Sequence, residues 1–230
     1  MLLQPDVRHG AGGNRYYGID TFVRIRSIRS MQNLGLTLDE IRDYFNDSVD
    51  LLSLIRRLEK KRDELNLNIE KLYERAKVEA PQVKELLLPS QTVYRRVYQS
   101  DSAAERAVLL RSTALEAMRG YGTDITRRMY FIESSVDRPA EVTCCVAVPP
   151  ESRGEFVETL PAVRALCLYH HGAYEELPAV RGKLVDYAAE HGLTTLGIFR
   201  HTYLEGPPQH KDPAKFITQI SLVISDKEEG

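Results

Sequence analysis

A stripe of apolar residues runs through residues 48–78 at alternating spacings of three and four positions. Arg62 is the one polar residue at this seam, whose other members are Leu51, Ile55, Leu58, Leu65, Ile69 and Leu72. Such spacing is typical of a coiled-coil helix. A helix of about 31 residues would be roughly 46 Å long, and its apolar stripe needs a partner. Packing on its own domain is one alternative; we expect the paired helices of a homodimer.

The period of the apolar pattern changes beyond this helix. Pro81 and Pro89 bracket the change, and from Thr92 onward apolar and polar residues alternate as they do in strands. The pattern predicts two helices, at 102–119 and 174–191, and six strands, at 92–100, 125–134, 140–148, 163–171, 195–204 and 215–225. Their order is β-α-β-β followed by β-α-β-β. We therefore expect an α+β fold whose two similar halves form a pseudo-twofold domain with a cleft between them.

The strongest turn signal of the chain lies near its start. Three glycines precede the strand-like text Arg15-Tyr16-Tyr17; they are Gly10, Gly12 and Gly13. This predicts a small β-turn-β wing over residues 6–17. Residues 1–37 hold five arginines and two aspartates, a local charge of +3. A small basic surface of this kind attracts phosphate backbones.

Two helix signals follow the wing. Asp20 is placed to cap a helix that runs to about Leu34. Thr37 and Glu40 have the spacing of a capping box, which predicts a second, short helix over residues 38–46. The predicted organisation is a truncated winged-helix segment, a dimerisation helix, a linker and a C-terminal domain, over residues 1–47, 48–80, 81–91 and 92–226.

Composition and the lack of certain motifs argue against several classes of protein. The net charge of −2 does not suggest a bulk polyanion binder. No stretch reaches the 18 or so apolar residues of a membrane span, and no signal peptide is visible. The cysteines (Cys144, Cys145 and Cys167) are too few and too clustered for a disulfide framework, so we expect a reduced, cytoplasmic setting. Without a nucleophile motif, P-loop, GxGxxG or metal-ligand spacing, we predict no catalytic residue, cofactor or metal.

Two short sequence motifs near the start of the chain form one ordered pattern. GNRYY occupies residues 13–17, and LGLTLDEI occupies residues 34–41. In this order they resemble the wing strand and the helix-joining signature of the MerR family of bacterial transcription regulators. Residues 92–225, with HTYLEGPP and FITQISLVI near their end, resemble the GyrI-like effector-binding domain of the multidrug-sensing branch of that family. The resemblance implies a ligand-responsive regulator whose partners are a small lipophilic molecule and promoter DNA.

The resemblance also implies how the first segment meets DNA. In the family a helix-turn-helix precedes the wing, and its second helix enters the major groove. Here the text MLLQP matches the loop after those helices, so we expect the recognition helix to be absent and DNA binding by this chain to be weak and without sequence preference. The resemblance places Arg8, Arg15 and Tyr16 on the DNA.

A ligand site is expected in the C-terminal domain. The chain has no Trp, so tyrosines supply most of the aromatic surface that ligand pockets need. In the resembled domain the position of Gln219 is usually a buried glutamate that pairs with lipophilic cations, and a tyrosine, here Tyr203, lies beside it. Gln219 favours a neutral or weakly polar ligand instead, unless Glu133 or Glu175 supplies a charge. The predicted cleft is lined by Tyr130, Tyr169, Phe199, Tyr203 and Gln219.

Other interpretations stay open at this point. The aromatic side chains, above all Phe199 and Tyr130, are also compatible with a filled core. Some GyrI-like proteins hydrolyse strained electrophiles with a glutamate and a tyrosine, and a hydrolase of small electrophilic compounds is the alternative function. Gln219 cannot act as a general base, which speaks against it. A third interpretation is a protein-binding module that takes neither DNA nor ligand.

Overall fold

The computed structural model of the chain describes residues 7–9, 14–16, 19–76 and 82–225. The chain divides into two compact units, Met1–Arg62 and Asp63–Gly230. None of the described helices combines the length and the apolar character that a membrane crossing requires.

The first unit contains a two-stranded ribbon. β1 (Val7–His9) pairs antiparallel with β2 (Asn14–Tyr16), and Arg8 lies opposite Arg15 in the register. The pairing agrees with the predicted wing. The turn glycines of that prediction, Gly10, Gly12 and Gly13, lie outside the described residues.

Two helices follow, α1 (Ile19–Asn33) and α2 (Leu38–Phe45). Between them Gly35 has a φ of 87°, a conformation that suits glycine at the end of a helix. The predicted capping box is confirmed. Thr37 Oγ1 accepts a hydrogen bond from the Glu40 N–H at 3.2 Å, and the Glu40 carboxylate accepts one from the Thr37 N–H at 2.8 Å. Ile28, Leu36 and Ile41 form a small core beside these helices.

The long helix α3 (Leu51–Ala76) has 26 residues. It begins at Leu51, later than predicted, because the Asp50 carboxylate accepts hydrogen bonds from the N–H groups of Leu52 and Ser53 and so caps it. Residues 77–81 lie outside the described part of the chain. About half of the surface of each of five stripe residues is exposed: Leu51, Ile55, Leu65, Ile69 and Leu72. The homodimer through residues 48–78 stays a prediction, and this stripe is the surface it would use.

The second unit is built on one antiparallel sheet. Its strands are β3 (Lys84–Leu88), β4 (Gln91–Gln99), β5 (Tyr130–Ser135), β6 (Glu141–Ala147), β7 (Val157–Leu160), β8 (Val163–His171), β9 (Thr195–Glu205) and β10 (Ile217–Ile224). Their order across the sheet is β3-β8-β10-β9-β5-β6-β4-β7. α4 (Ala103–Gly120) follows β4, and α5 (Leu177–Glu190) follows β8. The units β4-α4-β5-β6 and β8-α5-β9-β10 confirm the predicted pseudo-twofold (βαββ)₂ fold.

The sequence-based prediction misses two strands. β3 lies within the predicted linker 81–91, and β7 lies between two predicted strands. Each of these strands pairs with the half that it does not precede in the chain. β3 comes before the first half but pairs with β8 of the second half. β7 comes before the second half but pairs with β4 of the first half. The linker prediction is therefore wrong for β3. Short edge strands depend on a distant partner, so the local pattern signals them weakly.

The start of β5 also differs from the prediction. The strand begins at Tyr130 rather than at 125. The cause is a turn in which the Asp124 carboxylate accepts hydrogen bonds from the N–H and the hydroxyl of Thr126, at 3.0 and 2.6 Å. This side chain competes with strand pairing for the backbone.

The sheet has two distinct faces. On one, called the helical face, Leu184 of α5 shares a core with Leu166 and Leu222, and Leu110 of α4 shares one with Ile132. The other, called the α3 face, carries the side chains that alternate with these, and Glu70 of α3 is hydrogen-bonded to it. The candidate sites lie on these two faces.

Candidate functional site

A cavity of 350 Å³ opens on the helical face between α4, β5, β9 and the turn that follows β9. We call it the aromatic cavity. Tyr130, Tyr174 and Tyr203 form aromatic walls, and α4 contributes Leu110 and Met118. The rings of Tyr174 and Tyr203 meet edge to face with their centroids 5.2 Å apart. Its size and its largely apolar lining are those of a site for a small organic molecule.

The buried polar groups around the aromatic cavity are uncharged or already paired, and the exposed Arg111 adds a positive charge to its wall. Burial raises the pKa of Tyr174 to about 12 and also raises the pKa of Tyr203, so both hydroxyls are neutral at pH 7. The carboxylate of Glu205 pairs with Arg75 of α3 and lies 2.6 Å from the Nε2 atom of His210. An incoming cation would therefore find no free carboxylate on the described walls.

Two buried side-chain atoms in the described part of the chain have no hydrogen-bond partner. They are Nε2 of His201 and Oγ1 of Thr218, and both residues lie on the helical face. His201 is 5% exposed and Thr218 is 0% exposed. Leaving such an atom unpaired costs about 1–3 kcal/mol, so this pair is an unusual feature of the core.

The charge state of His201 follows from its surroundings. Burial, and after it the guanidinium groups of Arg181 and Arg106, lower the pKa of His201 to about 3. The imidazole is therefore neutral at pH 7. The ring of Phe199 is a further neighbour, with centroids 6.5 Å apart.

A second cavity, of 390 Å³, lies on the α3 face between α3 and the sheet. We call it the polar cavity. At its edge, Glu70 of α3 accepts hydrogen bonds from the hydroxyl of Tyr169 and from Arg128, both at 2.5 Å. Gln219 donates its Nε2–H to the Tyr169 hydroxyl at 3.2 Å. This network ties α3 to β8 and β10.

The other strong charges on the α3 face are also paired. Arg200 is 6% exposed and donates two hydrogen bonds to the Glu133 carboxylate, at 2.8 and 3.0 Å. Its guanidinium carbon lies 4.5 Å from the centroid of the Phe131 ring. Glu133 therefore supplies no charge to the aromatic cavity, and Glu175 is exposed.

The structure separates the five residues predicted to line one cleft. Tyr130 and Tyr203 line the aromatic cavity. Gln219 lines the polar cavity and contacts Tyr169 there. Phe199 lies in the core under α5, 2% exposed. The prediction of a single cleft is therefore wrong.

The physical reason is the register of β9 and β10. The two strands are neighbours, as expected, but Gln219 pairs with Thr202, so its side chain points to the face opposite Tyr203. Sequence reasoning also missed the contribution of α4. Its Ala107, Leu110, Ala114 and Met118 recur at helical spacing and all line the aromatic cavity, a signal that resembles ordinary core packing.

The residues predicted to contact DNA are only partly described. Arg8, Arg15 and Tyr16 belong to β1 and β2, but their side chains lie outside the described part of the structure. Their role on DNA stays a prediction.

The three thiols are free and buried. Burial raises the pKa of Cys144 and of Cys167 to about 11, and raises that of Cys145 well above its usual value. Among the described residues, no group of three or more His, Cys, Asp or Glu side chains could hold a metal ion.

Comparison with known proteins identifies the class of the first segment. Residues 1–48 match the family model described as MerR HTH family regulatory protein. The N-terminal segment therefore belongs to the MerR family, as its motifs predict. No functionally curated protein matches the chain.

Solved structures share the fold of the whole chain and of the second unit. A cryo-EM structure of an EcmrR–DNA complex in EcmrR-RPo is similar over 96% of this chain and 90% of that chain, with 20% identity and a TM-score of 0.58. The crystal structure of the EcmrR C-terminal domain is similar over 65% of this chain and 99% of that domain, with 20% identity and a TM-score of 0.54. The chain thus joins a MerR-family segment to a domain with the fold of an EcmrR C-terminal domain.

Proposed function

We propose that the chain is a ligand-responsive transcription regulator of the multidrug-sensing type, and that the aromatic cavity is where it binds a small lipophilic molecule. The observation that carries the proposal is the cavity itself: Tyr130, Tyr174 and Tyr203 surround a ligand-sized space whose remaining walls are mostly apolar. The MerR-family match over residues 1–48 supports the regulatory role.

The aromatic cavity is a better candidate than the polar cavity. Arg200 and Arg128, which line the polar cavity, are each held by a carboxylate. A lipophilic ligand there would desolvate these ion pairs without replacing their hydrogen bonds, which is costly. In the aromatic cavity the same ligand would cover apolar and aromatic surface, at a gain of roughly 25 cal/mol per Å².

A route for the response begins at the wall of the aromatic cavity. Glu205 lines the cavity and pairs with Arg75, which lies one residue from the end of α3. α3 is continuous back to Leu51, so a ligand that displaces Glu205 acts on the end of the helix that leads to the MerR-family segment. A regulatory response requires that the ligand bind the paired and the separated arrangements of Arg75 and Glu205 with different affinities, and we propose that displacement of Glu205 supplies this difference.

DNA and a second copy of the chain complete the proposal. The EcmrR structure is a complex with DNA, and we propose promoter DNA as the partner of the first segment. The half-exposed stripe of α3 supports a homodimer. Three free, buried thiols fit a reducing compartment such as the cytoplasm.

A hydrolase receives less support from the site. Hydrolysis of an electrophile needs a base within hydrogen-bond reach of the attacking water. Gln219 is an amide on the other face of the sheet, and Glu205 is held by Arg75 and by the neighbouring His210. We therefore propose a binding protein rather than an enzyme.

The test is a fluorescence titration of the protein with naphthalene, a small apolar aromatic probe. Ala107→Phe places a ring in the cavity and should weaken binding on the order of tenfold or more, since overpacking costs about 1–3 kcal/mol. Ala104→Phe is the matched control, because Ala104 is exposed on the same helix and does not line the cavity. Equal affinities for wild type and Ala107→Phe, or no binding by wild type, would refute the assignment.

A further inference from the structure

The two unpaired atoms belong to neighbouring residues of β9 and β10, beside Tyr203 of the aromatic cavity. Thr218 of β10 pairs directly with Tyr203 of β9. His201 lies two residues before Tyr203, so it shares the same face of the strand. Tyr203 lines the aromatic cavity and is therefore the wall residue that neighbours both Thr218 and His201 on the sheet.

Both atoms have hydrogen-bonding capacity that no described protein group uses. Thr218 is fully buried and His201 nearly so, and neither Oγ1 nor Nε2 finds a partner among the described residues. Buried polar groups in proteins are nearly always hydrogen-bonded. Two such exceptions on neighbouring residues beside a ligand-sized cavity leave room for a partner from outside the chain.

We propose that Thr218 and His201 bind the hydroxyl group of a neutral aromatic alcohol or phenol whose apolar body occupies the aromatic cavity. The proposal rests on the proposed function and adds the chemical class of the ligand. Neither residue lines the cavity itself, so binding through them requires that the Tyr203 ring move.

A hydroxyl is the group that matches both atoms. The threonine hydroxyl donates or accepts, and a neutral imidazole nitrogen accepts in one tautomer and donates in the other. A ligand hydroxyl both donates and accepts, so it satisfies the pair with either tautomer of His201. A carbonyl group only accepts, and an ammonium group only donates.

Charge around the pair selects against cations. Arg181 of α5 and Arg106 of α4 both act on His201 electrostatically. Arg181 is packed over the Phe199 ring, with its guanidinium carbon 4.2 Å from the centroid. The Phe199 ring centroid lies 6.5 Å from that of His201, so a lipophilic cation beside His201 would be repelled by the Arg181 guanidinium, whereas a neutral hydroxyl would not.

The experiment compares 2-naphthol with naphthalene, which differ by one hydroxyl group. Wild-type protein should bind 2-naphthol more tightly by roughly 5- to 150-fold, the range for one well-made buried hydrogen-bond site. In Thr218→Val and in His201→Phe this preference should fall toward one. Thr218→Ser keeps the hydroxyl and should keep the preference.

Thr113→Val is the matched control. Thr113 is as buried as Thr218, but its hydroxyl donates to the Leu109 carbonyl at 2.9 Å and lies 3.1 Å from the Tyr98 hydroxyl. Its loss should lower stability and leave the preference for 2-naphthol intact. Thr218→Val should unfold no more easily than wild type, because no protein partner is lost.

The outcomes separate this inference from the proposed function. If naphthalene binds and 2-naphthol binds no better, the role of His201 and Thr218 is refuted while the cavity assignment stands. If neither probe binds, both fail. If Thr218→Val loses as much stability as Thr113→Val, its hydroxyl is satisfied within the protein, and the inference is overturned.

Discussion

The buried His201 makes a sharp prediction for the pH dependence of stability. Its pKa is about 3 in the folded chain and about 6.5 in the unfolded chain. Between these values the unfolded chain binds a proton that the folded chain does not, so stability must fall as the pH falls below about 6.5. The loss continues until the folded-state pKa is reached.

The magnitude follows from the two pKa values. Protonation of the unfolded chain costs the fold about 0.2 kcal/mol at pH 7 and about 2 kcal/mol at pH 5. His201→Phe removes this proton-binding site. The variant should therefore lose about 2 kcal/mol less than wild type when the pH is lowered from 7 to 5.

Urea unfolding followed by circular dichroism at both pH values measures this difference. Each protein is compared with itself, so a change in packing caused by the larger ring cancels. His191→Gln is the control, because His191 is exposed at the end of α5 and the wild-type loss should persist in it. Equal losses for wild type and His201→Phe would refute the burial of a neutral imidazole at this position.

Three further predictions concern other parts of the chain. Leu65→Asp places a charge in the exposed stripe of α3 and should convert a dimer to a monomer by light scattering; a monomeric parent chain would contradict the stripe's role. Hydrogen bonds from Arg57 and Thr37 lower the pKa of Glu40 from 4.5 to about 2. The Glu40 carboxylate therefore stabilises the fold above pH 4.5, and this stabilisation is lost as the pH falls toward 2. Glu40→Gln should make the stability of the first unit depend less on pH in that window. An acid unfolding transition unchanged by the substitution would contradict this. Gln219→Glu should leave the relative affinities for cationic and neutral dyes unchanged, because Gln219 lies away from the aromatic cavity; a shift toward cations in a fluorescence titration would restore the single-cleft prediction.

Local chemistry explains which parts of the fold the sequence predicts. The capping box of Thr37 and Glu40 depends on residues three positions apart, and it forms as the spacing indicates. The (βαββ)₂ order follows from changes of apolar period along the chain. The capping box is contained within four residues, and each change of period is visible within one helix or strand.

Features that depend on distant residues could not be read in the same way. β3 and β7 are strands because β8 and β4 lie beside them. The face of Gln219 is fixed by its pairing with Thr202, and one position of shift would move it to the other side of the sheet. Which tyrosines share a cavity likewise depends on strand register, so it could not be predicted from the sequence.

The burial of Cys144, Cys145 and Cys167 has a practical consequence. Their thiols are shielded from solvent, and their raised pKa values leave little thiolate at pH 7, so maleimide reagents will react with them slowly. A cysteine introduced on an exposed stretch of α3 or α4 would then be the preferred site of labelling. Fluorophore pairs could be attached without first removing native cysteines, and the distance between the two helices could be followed while a ligand is added.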